Sequence, residues 1–291
     1  MTPAGRLNKA TPKVGSNLSW LWLASLAFLT STWAGCSYQR PLTSNPPVSA
    51  KVSDKELAKT LLDNLSNKAQ ILSSLQSEAL MAYSQNGKRF KAREEITLRR
   101  PDRLRIEAYY ALGVGLIVVS NGKEAQVFEP SKNLLLVGKP NADTLDRFVH
   151  VRLEPYEAVD LLMGLPPRQD LSWAKPSYIR REGSLMMVGL PSYDSSSLEL
   201  GFTDSKLLLI RSREVDGKLR YQVNYDDYRD VGGILIAHRI TAQFPKTGTL
   251  VEFYYKQAVV NRVFPESTFA LSVSPATNKV MLERDIENLA S

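Results

Sequence analysis

Apolar positions change period along the chain, and each period predicts a different element. Leu57, Leu61, Leu65, Ala69, Leu72 and Leu75 recur every three or four residues, which predicts an amphipathic helix over 54–76. Ser53 with Glu56 three positions on has the pattern of a capping box for it. From Glu78 the period falls to two. Strands are predicted at 78–85, 90–99, 103–110, 115–120, 123–129 and 133–138, divided by Gly87-Lys88, Pro101-Asp102, Asn121-Gly122-Lys123 and Pro130-Ser131. The alternation stops at 139–175. Asn141–Phe148 reads as a short helix, and Pro155–Met163 as another, with proline at its first position and Gly164 ending it.

Alternation resumes at 177–182, 185–190, 197–202, 206–214, 218–228, 234–243 and 249–260, with turns at Asp204-Ser205, Asp216-Gly217 and Lys246-Thr247-Gly248. Phe264–Leu271 reads as an added edge strand, and 276–291 as a surface tail. Spacers too short to hold a helix make neighbouring strands antiparallel. About a dozen strands in one run suit a barrel or a strongly curved sheet. The fold class is mainly β, with α+β character.

The first 35 residues follow another logic. Arg6, Lys9 and Lys13 precede an apolar run, Leu18–Leu29, and small residues lead into Cys36. These are the parts of a secretory signal peptide. The run is shorter than the ~20 residues of a membrane-spanning helix. Cys36 directly after Ala34-Gly35 resembles the lipobox of bacterial lipoproteins, although Trp33 stands where that pattern prefers an aliphatic residue. The resemblance implies that residues 1–35 are removed and that Cys36 is acylated, palmitate being a typical chain. Ser37 rather than Asp after the cysteine implies the outer membrane, by the sorting rule of enteric lipoproteins. Residues 36–53, rich in Pro and Ser, read as a tether. A folded domain then spans 54–272, with a C-terminal tail at 273–291.

Composition narrows the chemistry. The 291 residues are 43% hydrophobic and 23% charged, as in a chain with a packed core. The net charge of +7 falls to about +4 once the signal leaves, so nucleic acid is not an expected partner. A single cysteine excludes an internal disulfide framework and Cys-based zinc clusters, and two histidines weigh against other metal sites. No nucleophile elbow, phosphate-binding glycine loop, HExxH or CxxC occurs. His150 and His238 read as structural or surface residues. Glu94-Glu95 and Asp226-Asp227 are strand neighbours whose side chains point to opposite faces, so neither is a ready acid/base dyad; Arg99-Arg100 and Arg180-Arg181 split in the same way and read as solvated faces. Gly113-Val114-Gly115 leads into strand-like residues rather than a helix, which excludes a dinucleotide fingerprint. No enzyme activity, cofactor or metal is expected. Leu112, beside a glycine between two strands, either packs inward or protrudes.

Three segments carry a family resemblance. They are Leu104-Arg105-Ile106-Glu107 with Ala111-Leu112-Gly113, then Asp160-Leu161-Leu162-Met163-Gly164-Leu165-Pro166, and then Tyr221–Tyr228 with its spaced tyrosines. Their order over 54–262 resembles the outer-membrane lipoprotein receptor of the Lol pathway (LolB) and its relatives of LolA-like fold. The resemblance implies an unclosed antiparallel half-barrel, with the N-terminal helix and short helices covering its concave face, and acyl chains bound on that face. It also implies that Leu112 is the protruding leucine that sets cargo into the membrane, with Ala111 replacing the family's proline. Candidate acyl-chain residues are Leu80, Ile96, Leu104, Ile106, Ile117, Val119, Val127, Leu135, Leu162, Met163, Met187 and Leu209.

The implied protein is a monomeric, lipid-anchored receptor on the outer membrane, facing the periplasm. It would take lipoprotein cargo from a periplasmic carrier. A lipid- or glycolipid-binding lipoprotein of the same fold, or an envelope scaffold with a filled core, are the other readings.

Overall fold

The computed structural model describes residues 52–110, 113–149, 151–167, 171, 174–191 and 196–282. In chain order these hold α1 (Val52–Ile71), β1 (Ser74–Gln85), β2 (Lys88–Arg99), β3 (Arg103–Tyr110), β4 (Gly113–Asn121), β5 (Ala125–Glu129) and β6 (Leu134–Gly138). The helices α2 (Ala142–Val149) and α3 (Pro155–Leu162) follow. The remaining strands are β7 (Tyr178–Glu182), β8 (Leu185–Pro191), β9 (Ser197–Thr203), β10 (Lys206–Arg213), β11 (Leu219–Val231), β12 (Ile234–Phe244), β13 (Thr249–Val260) and β14 (Asn278–Met281).

All fourteen strands form one sheet, ordered β14-β6-β5-β4-β3-β2-β1-β13-β12-β11-β10-β9-β8-β7. Every pairing is antiparallel except β14 on β6. The sheet is unclosed, with β14 and β7 as its edges. This is the expected mainly β half-barrel. Charged Arg180, Arg181 and Glu182 mark β7 as a protected edge.

Alternate residues turn to the concave face, where α1 and α3 pack. Ala58, Leu61, Leu62 and Leu65 of α1 join Val159 and Leu161 of α3 in one core. That core includes Ile96, Leu98, Leu104, Val188, Leu200, Ile210, Tyr221, Val223 and Tyr225 of the sheet. Polar clamps hold α3 in place. Arg100 Nε meets Asp160 Oδ1 at 2.7 Å, with Asp160 only 1% exposed, and the same guanidinium donates to the Ala69 carbonyl of α1. Arg220 grips Glu157 through two bonds of 2.7 and 2.6 Å. The last carbonyls of a helix lack intrahelical donors. Here Tyr225 and Tyr255 supply them, donating to the Leu161 and Leu162 carbonyls at 3.0 and 2.9 Å.

Four boundaries depart from expectation. α1 ends at Ile71, not at residue 76, and Leu75 belongs to β1, paired with Leu98 and Val260. Its three-residue spacing from Leu72 fits a helical stripe, but ladder pairing on both sides prevails. Ser53 lies inside α1, which already includes Val52, so it does not precede the helix as a cap. Phe264–Leu271 is not a strand: it holds a 3-10 turn, Glu266–Phe269. Side chains of the outer face hold that segment instead. Arg99 donates to the Phe264 carbonyl, Arg105 to the Thr268 carbonyl, and the Leu271 N–H donates to Gln126. The edge place beside β6 goes to Asn278–Met281, inside the stretch read as a tail, with the Leu282 N–H donating to the Val137 carbonyl at 2.9 Å.

Candidate functional site

A cavity of about 680 Å³ opens on the concave face, within the 300–1,000 Å³ usual for small-ligand pockets. The sheet contributes Met81 and Tyr83 from β1, Leu104, Ile106 and Ala108 from β3, and Leu116 and Val118 from β4. Val223 of β11, Ile240, Ala242 and Phe244 of β12, and Val251 and Phe253 of β13 complete that wall. The cover is Leu145 of α2, Val151 and Leu153, and Ala158, Leu161 and Leu162 of α3.

Register explains why space remains there. Ala79, Ala92 and Ala108 face inward on three adjacent strands, and Ala92 and Ala108 form with Met81 and Val251 a small cluster apart from the main core. Of the three, Ala108 lines the cavity, and its methyl-sized side chain leaves volume that a larger residue would take up.

The rim is polar. Gln85, Lys88 and Arg89 of the β1–β2 hairpin border the cavity with Phe90, whose ring lies 5.2 Å from that of Tyr83. Tyr110 packs across Gly115, where a Cβ would sit 1.9 Å from the tyrosine ring, so this glycine makes room for an aromatic at the rim.

One acid lines the interior. Glu94 of β2 is 4% exposed, between Ala79 and Ala108 on the neighbouring strands. Its Oε2 has no hydrogen-bond partner among the described residues. Burial pushes its pKa up to about 8, which favours the neutral acid. The Tyr83 hydroxyl on the same wall is also buried without a partner among the described residues. No group of three or more His, Cys, Asp or Glu suited to a metal occurs among the described residues. An apolar wall with one neutral acid is equipped to hold an aliphatic chain non-covalently.

The anticipated site residues divide by strand parity. Leu104, Ile106 and Leu162 line the cavity. Ile96, Val127 and Met163 belong to the core beside it without lining it. Leu80, Ile117, Val119, Leu135, Met187 and Leu209 sit on the opposite face, a correction with one cause. A shift of one residue along a strand exchanges faces, and several strands here are apolar on both. Leu80 is 46% exposed and pairs with Tyr254, while Ala79 and Met81 turn inward. Ile117 and Val119 alternate with inward Leu116 and Val118, and Leu135 pairs with outward Phe128. Met187 and Leu209 meet over Gly201 on the outer face. Cys36 and Leu112 lie outside the described residues.

Sequence reasoning missed Glu94, Met81, Tyr83 and Phe253. A signal for Glu94 was present. It shares a strand face with Phe90, Ala92, Ile96 and Leu98, a lone acid among apolar residues.

The fold has solved counterparts. A protein of the DUF1329 family from Desulfovibrio piger superposes with a TM-score of 0.55 at 11% identity, covering 74% of this chain and 96% of its own. A LolA superfamily protein from Nitrosomonas europaea gives 0.52 at 14% identity, over 74% and 97%. A domain from Vibrio parahaemolyticus named for outer-membrane lipoprotein sorting gives 0.53 at 9% identity, over 72% and 95%. No protein-family model matches the chain, and no curated protein matches it in sequence. At these identities the likeness defines the fold: a LolA-like unclosed half-barrel with helices across its concave face.

Proposed function

We propose that this chain is a lipid-anchored protein of the bacterial outer membrane, facing the periplasm. It takes up acyl chains of other lipoproteins and helps to insert them into that membrane. The observation that carries this reading is the roughly 680 Å³ apolar cavity beneath α3. Two features of the sequence support it. Cys36 in its lipobox-like setting provides the anchor, where each buried CH₂ contributes about 0.8 kcal/mol. Leu112 falls between Tyr110, a rim residue, and Gly113, which places it in sequence where a leucine could probe the bilayer.

The mechanism is hydrophobic transfer, with no covalent step. Cargo leaves a periplasmic carrier for the cavity and then passes to the membrane, so binding has to be modest. Lys88 and Arg89 at the rim suit an acidic carrier surface. One copy of the chain suffices for this.

The test uses liposomes carrying the full acylated chain, mixed with a carrier loaded with acylated lipoprotein. Native protein is expected to deliver cargo to the liposomes. Leu112→Glu is expected to take cargo up and fail to deliver it. Uptake of free lipid without cargo transfer would favour a lipid-binding lipoprotein. Neither uptake nor transfer would leave a scaffold.

A further inference from the structure

Glu94 needs a reason to be where it is. A buried polar group without a partner is costly, and this one interrupts an otherwise apolar wall. The position is built: Ala79 and Ala108 flank the acid on both neighbouring strands, and Ala108 lines the cavity beside it. The cavity continues on both sides. Ile106 and Leu104 of β3 follow the Glu94–Ala108 pair on the side away from Lys88, which marks the rim six residues along β2, or roughly 20 Å at strand rise. A ligand entering tail first therefore has its chain beyond Glu94 and its head toward Lys88.

We propose that Glu94 is the polar recognition point of this cavity, its carboxyl O–H donating a hydrogen bond to the carbonyl oxygen of an ester- or amide-linked acyl chain. This rests on the acyl-binding reading above and deepens it: the cavity selects O- or N-acyl lipids over alkyl and ether lipids of equal length. Such a linkage occurs both in acylated lipoproteins and in free glycerolipids. An acceptor at that level supplies the partner that Oε2 lacks.

The surroundings keep the group protonated. Among the described residues, titratable groups near it include Tyr83 of β1, Tyr110 of β3 and Tyr255 of β13, the last donating to the Leu162 carbonyl, with His238 of β12 behind Tyr255 at 6.5 Å. Lys88 and Arg89 stand at the rim. The α2 and α3 residues facing the cavity are apolar, and Glu157 and Asp160 of α3 are engaged by Arg220 and Arg100. Burial alone accounts for the upward shift to about 8, with no contribution from a charged neighbour among the described residues.

The test measures binding to the full chain, held in an amphipol, by fluorescence displacement. The probes are a dipalmitoylglyceryl-cysteinyl peptide, dipalmitoylglycerol, and the dihexadecyl-ether counterpart of each. At pH 6 native protein is expected to prefer ester over ether by roughly two- to tenfold, the span of one net hydrogen bond. At pH 9.5 the preference disappears. Glu94→Gln, which keeps an N–H donor, retains it at both pH values, and Glu94→Leu binds ester and ether alike at both. The tighter of the two ester probes identifies the source of the ligand. Equal binding of ester and ether by native protein at pH 6, or a preference surviving in Glu94→Leu, would overturn the role of Glu94 alone. Failure of every probe to bind native protein would overturn the acyl-binding reading as well.

Discussion

The concave face has two halves built to different ends. Across β8–β11 its inward positions include Val188, Leu190, Leu198, Leu200, Phe202, Ile210, Tyr221 and Tyr225, which belong to the main core and do not line the cavity. Across β1–β3 the corresponding positions include Ala79, Ala92 and Ala108, and a cavity remains. Polar groups follow the same division. In the closed half Tyr225 and Tyr228 donate to the Leu161 and Leu207 carbonyls, whereas in the open half Glu94 Oε2 and the Tyr83 hydroxyl have no partner among the described residues. One continuous sheet thus serves as core in one half and receptacle in the other. Side-chain volume at a few inward positions, rather than the backbone path, decides which.

That contrast can be broken where the halves meet. Asp160→Ala removes the buried carboxylate that Arg100 holds and frees α3. A loss of about 3–5 kcal/mol is expected in urea denaturation, as for other severed buried pairs. A conservative response, below about 1 kcal/mol, would show that the clamp is dispensable.

A smaller effect comes from the open half. The folded pKa of Glu94, about 8, lies above its ordinary 4.5. Its proton therefore contributes stability in full below pH 4.5, and that contribution is lost as pH rises toward 8. The fall amounts to a few kcal/mol at most. Denaturation curves of Glu94→Gln across pH 4.5–8 are expected to be flatter than native by that amount, and equal slopes would place the acid in water.

Tyr225→Phe removes one donor from the end of α3 and is expected to cost about 1–2 kcal/mol, read as a lowered unfolding midpoint. At the bottom of the scale, Leu80→Ser on the outer face is expected to change stability by less than about 0.5 kcal/mol and lipid binding not at all. A binding defect there would mean that the outer face takes part.

Strand positions were largely readable because turn residues such as Gly87, Asn121-Gly122 and Asp216-Gly217 bound alternating runs. The faces of those strands were less so. Leu116-Ile117-Val118-Val119 is apolar throughout, since the C-terminal segment crosses the outer side of β3 and β4 and covers the positions that would otherwise be polar. Only pairing tells Val118 from Val119. β14 was hidden for another reason: Asn278-Lys279-Val280-Met281 has little strand pattern and is fixed by the exposed edge of β6, a partner far away in sequence. The cavity itself escaped an inventory of large apolar residues in part because Ala108, Ala158 and Ala242 are among its lining.

The most direct test asks whether the open half is occupied. Lipids extracted from the native full chain, purified from cells, are quantified by mass spectrometry beside those from Ala108→Trp, which fills the cavity between Leu116 and Glu94. Native protein is expected to carry acyl lipid in near-equimolar amount, and the variant at least tenfold less, at a folding stability within about 1 kcal/mol of native. Native protein free of lipid, or a variant carrying as much as native, would contradict the account.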